Sequence, residues 1–197
     1  MSVLPIYLYG SPVLRAKAKP VADLDDSMVK LIYDMFETMR KANGVGLAAN
    51  QVGDLRRVLV VDLSGVEEEG ETPSAPVEAD KTGEREKTFV VINPEVLETS
   101  GSWSMEEGCL SIPDVRSEVE RPERIRLRFQ DGNFRLREME AEGLLARVIL
   151  HEIDHLDGVL FIDRISAPSR ALLKGKLRSI KRGDVEAEYP IVLGAEV

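Results

Sequence analysis

A chain of 197 residues with 43% hydrophobic and 31% charged residues is long enough for one globular domain and short for two. No apolar run approaches the roughly 20 residues that span a bilayer, and a net charge of −9 argues against general nucleic-acid binding, so neither membrane nor DNA is an expected partner. One cysteine cannot cross-link the chain to itself, and Met1-Ser2-Val3-Leu4-Pro5 has no basic stretch leading into an apolar one; both predict a cytoplasmic protein.

Met28, Leu31, Ile32, Met35, Phe36 and Met39 recur at steps of three and four, which predicts one apolar face of a long N-terminal helix. Asp25, Asp26 and Ser27 offer its N-cap and Asn43-Gly44 its stop. Val58-Leu59-Val60-Val61 reads as a buried strand, and Phe89-Val90-Val91-Ile92 as another, ended by Asn93-Pro94. Between them, residues 64–88 hold eight acids against three bases, net −5, with no aromatic residue. That segment cannot bury enough apolar area to offset its ordering entropy and is expected to be a flexible acidic insertion. Ile125, Leu127 and Phe129 alternate with polar residues, Asp131-Gly132-Asn133 turns the chain, and Phe134 and Leu136 resume the alternation as a hairpin. A helical period returns from about Ala141 through His155, with Gly158 as its stop. A last helix is expected over Ala167 to Ile180, then a tail over 183–197. The expected class is α+β: short antiparallel strands and hairpins around a central metal-binding helix, in one catalytic domain over 1–197.

His151-Glu152-Ile153-Asp154-His155 fits the pattern HExxH. On a helix, positions i and i+4 share a face, so both imidazoles can reach one ion, and Glu152 stands beside them as a base. The chain has only two histidines, and both lie here. Leu144, Val148 and Ile149 put the helix in the core, where two adjacent imidazoles are costly unless something binds them. A catalytic site of this kind needs a third protein ligand. It is either a downstream carboxylate or Cys109, in the glycine-containing turn Glu106-Glu107-Gly108-Cys109-Leu110-Ser111 between extended segments. Cys109 is otherwise a small buried hydrophobe, or a nucleophile with a histidine base. Gly44-Val45-Gly46-Leu47-Ala48-Ala49-Asn50-Gln51 permits close backbone approach of a ligand and adds one amide donor; read alone, it is a plain helix-to-strand turn.

Gly44 to Gln51, Glu107-Gly108-Cys109-Leu110-Ser111 and His151 to His155, in this order, resemble the three signatures of the peptide deformylase family. The likeness runs from Pro5-Ile6 to about the last helix; the acidic insertion and the tail after Lys181 depart from it, and neither is expected to touch a motif. The resemblance implies a metal-dependent hydrolase that removes the N-formyl group from the formyl-methionine of nascent polypeptides, by attack of a metal-bound hydroxide on the formyl carbon. It implies Cys109, His151 and His155 as ligands of one divalent ion, Fe(II) in the cell, with Zn, Ni or Co possible on the same ligands. Glu152 becomes the proton carrier, and the Leu110 backbone N–H and the Gln51 side-chain amide the oxyanion donors. The nascent peptide is expected to lie as an added strand near Val45-Gly46. Its methionine is expected against Leu144 and Val148, with Val45 and Glu107 near. Asp154 is expected to pair with Arg121. The basic run Arg170, Lys174, Lys176, Arg178, Lys181 and Arg182 is either a solvated face or, as in this family, a ribosome contact. Competing readings are an HExxH endopeptidase with another third ligand, and a non-catalytic metal-binding or ribosome-associated protein, in which Glu152 would have no use.

Overall fold

The computed structural model describes residues 2–66 and 87–194. The expected acidic insertion therefore lies almost wholly outside the described residues.

Helix α1 (Asp26–Lys41) starts where Asp25 accepts a hydrogen bond from the Met28 N–H (2.7 Å), satisfying one of the N–H groups that a helix start leaves free. Met28, Leu31, Ile32, Met35 and Met39 are buried as one face, as their spacing requires. They pack on a five-stranded antiparallel sheet in the order β2 (Gly46–Ala48), β3 (Val58–Asp62), β4 (Thr88–Ser100), β7 (Arg124–Gln130), β8 (Leu136–Glu142). Helix α2 (Gly143–Leu156) covers the other face. The uninterrupted run in β3 follows from this sandwich: Val58 and Val60 face α1, Leu59 and Val61 face α2.

Two expectations about this sheet need correction. Strand β4 does not end at Asn93-Pro94 but runs on to Ser100 through a register shift between Ile92 and Glu95. Asn93 takes a left-handed φ of 51° there. Its side chain holds Val21 by both the N–H (2.8 Å) and the carbonyl (2.8 Å). A bulge is a place where proline's missing N–H costs the ladder nothing. In the second hairpin, Phe134 belongs to the turn (φ 60°), and the inward residues of β8 are Met139 and Ala141, opposite Leu127 and Ile125. Leu136 points outward and is 68% exposed. Asp131 accepts from the N–H groups of Asn133 (2.9 Å) and Arg135 (3.0 Å), so the turn is longer than Asp-Gly-Asn and the next strand starts on the other face.

Strands β5 (Trp103–Cys109) and β6 (Ile112–Arg121) form a separate hairpin closed by Leu110–Ser111. Helix α3 (Ala167–Arg182) is capped by Ser166, which accepts from the Ser169 N–H (3.2 Å), and ends at Gly183 with φ 82°. Beyond it the chain returns: β9 (Ile191–Val192) pairs in parallel with β1 (Ile6–Tyr7). The segment after Lys181, expected to touch no motif, does touch one, since the Tyr189 hydroxyl donates to the Leu110 carbonyl (2.7 Å). Among the described residues no helix is long and apolar enough to cross a membrane.

Candidate active site

Helix α2 is buried almost end to end, which is why it can carry a site in the molecule's interior. His151 and His155 sit one turn apart on it, their rings edge to face with centroids 5.1 Å apart. Strand β5 delivers Cys109 from the opposite side. Its sulfur lies 3.2 Å from His155 Nε2, and the ligating atoms of Cys109, His151 and His155 all fall within 4.8 Å of one another. Residue spacing alone left a third donor open between a carboxylate and the cysteine; the β5–β6 hairpin brings Cys109 to the two histidines, in a group that could hold a metal ion.

Glu107, two residues before Cys109 and on the same side of β5, points inward at 5% exposure. His151 Nδ1 lies 3.0 Å from its Oε2, Arg121 donates through Nε (2.6 Å) and Nη2 (3.0 Å), and Arg147 adds Nη1 (2.6 Å). Arg121 also donates to Asp154 (2.8 Å), the pairing expected from the sequence, and Arg164 closes on the same carboxylate. Glu107 was expected beside the methionine. It does line the cleft, but its oxygens are committed to His151 and two arginines, so its evident task is to aim the His151 ring. Arg147, 3% exposed and lying over the Trp103 ring at 4.7 Å, was missed. A lone cation four residues before His151 on an apolar helix face was its available signal.

The glycine-rich segment supplies the opposite wall. Gln51 is buried, its Oε1 accepting from the Ala48 N–H (2.9 Å), which turns its Nε2 toward Cys109 Sγ (3.6 Å) and Ser111 Oγ (3.3 Å). Gly46 is required by close packing. A Cβ there would stand 2.6 Å from Glu152 Oε1 and 2.7 Å from Val148 Cγ1. A cleft of about 710 Å³ opens over these groups, with Val45, Gly46, Leu144 and Val148 in its wall.

The electrostatics fit a cation among the three donors. Burial opposes charge on His151, but the Cys109 sulfur and Glu107 win and raise its pKa to about 10. Burial, and then the charge on His151, push His155 well below its ordinary value. A cysteine sulfur with two imidazoles is a donor set suited to a divalent transition metal. Glu152 is 4% exposed, and its Oε2 has no hydrogen-bond partner among the described residues. Burial raises its pKa to about 7, although His151 and Arg121 pull the other way.

The sequence model of the polypeptide deformylase family matches residues 3–171. The chain belongs to this family. A peptide deformylase of Salinibacter ruber is 47% identical over 191 residues, covering 96% of this chain and 94% of that one. The crystal structure of the Thermus thermophilus peptide deformylase superposes with a TM-score of 0.74 at 43% identity, over 89% of this chain and 96% of that one. The Thermotoga maritima enzyme gives a TM-score of 0.71 at 42% identity, over 84% and 99%. Peptide deformylases are enzymes that remove N-formyl groups, and this chain is one of them. Helices and antiparallel sheet therefore come together as the resemblance implied. The family model's match stops inside α3, before the returning segment that reaches Leu110, whereas the likeness to the Salinibacter ruber protein covers 96% of the chain.

Proposed function

We propose that Cys109, His151 and His155 hold the ion, Glu152 carries the proton, and Gln51 with the Leu110 N–H binds the oxyanion in hydrolysis of the formyl group from formyl-methionyl peptides. The observation that carries this reading is the meeting of three metal-capable atoms within 4.8 Å beside a buried carboxylate whose Oε2 has no hydrogen-bond partner among the described residues. The ion, when bound, supplies an acidified water and polarises the formyl oxygen. The protein does the rest. Glu152 takes a proton from the attacking water and passes it to the leaving amine, a transfer suited to a group whose pKa lies near neutrality. Fe(II) is the proposed cellular ion; the same thiolate and imidazoles accept Zn, Ni or Co.

The substrate fits by position. Strand β2 is an edge of the five-stranded sheet, so an extended peptide can pair beside Val45 and Gly46. Val148 and Leu144 offer an apolar wall for the methionine one and two turns before His151. Nascent peptides place the enzyme in the cytoplasm. On α3, Lys174 and Arg178 are exposed, whereas Arg170 pairs with Asp163 (3.2 Å) and Lys176 donates to the Asp114 carbonyl. A ribosome contact through these exposed cations should weaken steeply with salt.

Formate release from formyl-Met-Ala-Ser by the Fe(II)-loaded protein under anaerobic conditions, abolished by a chelator, is the expected result. Cleavage of internal peptide bonds without formate would transfer the site to the endopeptidase reading. Gln51→Ala should slow turnover by about 10²–10³-fold, as loss of one oxyanion donor typically does. Its metal content, measured by elemental analysis, should not change, and undiminished turnover would remove Gln51 from this role.

A further inference from the structure

The turn Leu110–Ser111 carries the N–H assigned to the oxyanion, and it is tied from outside its own hairpin at both carbonyls. Ser111 O accepts from the Tyr9 N–H (2.8 Å), and Leu110 O accepts from the Tyr189 hydroxyl (2.7 Å). Both donors flank the same small ribbon. Tyr9 lies two residues after β1 and Tyr189 two before β9, and these strands pair Ile6 with Ile191 and Tyr7 with Val192. The ribbon is extended by Ile6 N–H to Pro190 O (2.8 Å) and Leu8 N–H to Val192 O (2.9 Å). From a third side Gln51 Nε2 reaches Ser111 Oγ (3.3 Å). The returning segment also forms a wall of the cleft, through Glu186, Ala187, Glu188 and Tyr189.

Leu110 stands between two rigid peptide planes, one holding its N–H and Cys109, the other its C=O and Ser111. Only two torsions separate them. Anchoring the carbonyl therefore restricts the swing of the N–H and of the cysteine beside it. We propose that Tyr189 is a positioning residue for deformylation: its hydroxyl, held by the β1–β9 ribbon, fixes the Leu110 carbonyl and so aims the Leu110 N–H into the site. This rests on the deformylase reading above and extends the working site to the segment that returns after α3.

Tyr189→Phe removes the hydroxyl and keeps the ring. It should lower kcat about tenfold, part of the 10²–10³ that outright loss of an oxyanion donor costs. KM and metal content should stay as they are, the thermal midpoint should fall by only the few degrees (about 2–4 °C) that one lost hydrogen bond costs, and the Leu110 carbonyl ¹³C resonance should move upfield as that bond is lost. Wild-type kcat in this variant, or a fall in kcat matched by lost metal or by a midpoint lowered well beyond that range, would overturn the proposal, the latter by showing a merely structural role. An unmoved carbonyl resonance would also overturn it, whatever the turnover. If the wild-type protein itself released no formate while the resonance still moved in the variant, the deformylase reading would fail and take the catalytic role with it, leaving the tether standing.

Discussion

Glu152→Gln should reduce formate release by about 10²–10⁴-fold, the usual contribution of a positioned proton carrier, while the protein keeps its metal and its fold. The amide has nearly the shape of the carboxylate, so its close approach to Gly46 survives. What disappears is a basic oxygen, Oε2, which is buried without a partner among the described residues. His151, His155 and Cys109 are untouched, so elemental analysis should find the same metal stoichiometry in both proteins. As the proposed proton carrier, Glu152 should also set the acid limb of the wild-type profile. Its pKa is raised to about 7, first by burial, so below that range the carboxyl is protonated and cannot accept from water. A bound cation favours the carboxylate and draws the limb to lower pH. Steady-state kcat/KM against pH, with turnover of the variant beside it, checks both points; a variant that turns over normally would remove Glu152 from the chemistry.

The second large effect is on stability. Glu107→Ala leaves Arg121 and Arg147, at 3% exposure each, facing one another without the carboxylate that both now bond. Stranding a buried charge in this way typically costs about 3–5 kcal/mol. Equilibrium urea unfolding at pH 7 should show a loss of that order, and a loss no larger than that of a surface substitution would contradict the assignment. Metal affinity should fall about 10–100-fold as well, because the partner that orients His151 is gone. The pH dependence has a definite sign. Burial would raise the Glu107 pKa, but His151 and Arg121 outweigh it and bring it down from 4.5 to about 2. A folded value below the unfolded one means that this contribution is complete above about 4.5 and is lost as pH falls toward 2. The wild-type protein should therefore lose stability across that window more steeply than the Ala variant.

Much of the architecture could be read because the local pattern and the packing agree. Met28 to Met39 and Leu144 to His155 repeat with a helical period and bury the faces that the period selects. Val58 to Val61 is apolar throughout because it lies between two layers of helix. The paired histidines stood out because the chain has no others. What escaped was long-range. No local rule says that β5 folds across α2, so residue spacing alone left Cys109 one candidate among several and concealed the Glu107–Arg121–Arg147 network. The Asn93 bulge lets a strand pass a proline that normally ends one. Strands β1 and β9 are two residues each, too short for any periodicity, yet they bring Tyr189 to the site.

The most direct measurement of the central claim is an anomalous difference map from crystals of the metal-loaded protein, collected at the absorption edge of the ion. A single peak within bonding distance of the Cys109 sulfur and one ring nitrogen each of His151 and His155, with no fourth side chain attached, is the predicted result. A peak enclosed by four protein ligands, or one lying away from Cys109, would contradict it.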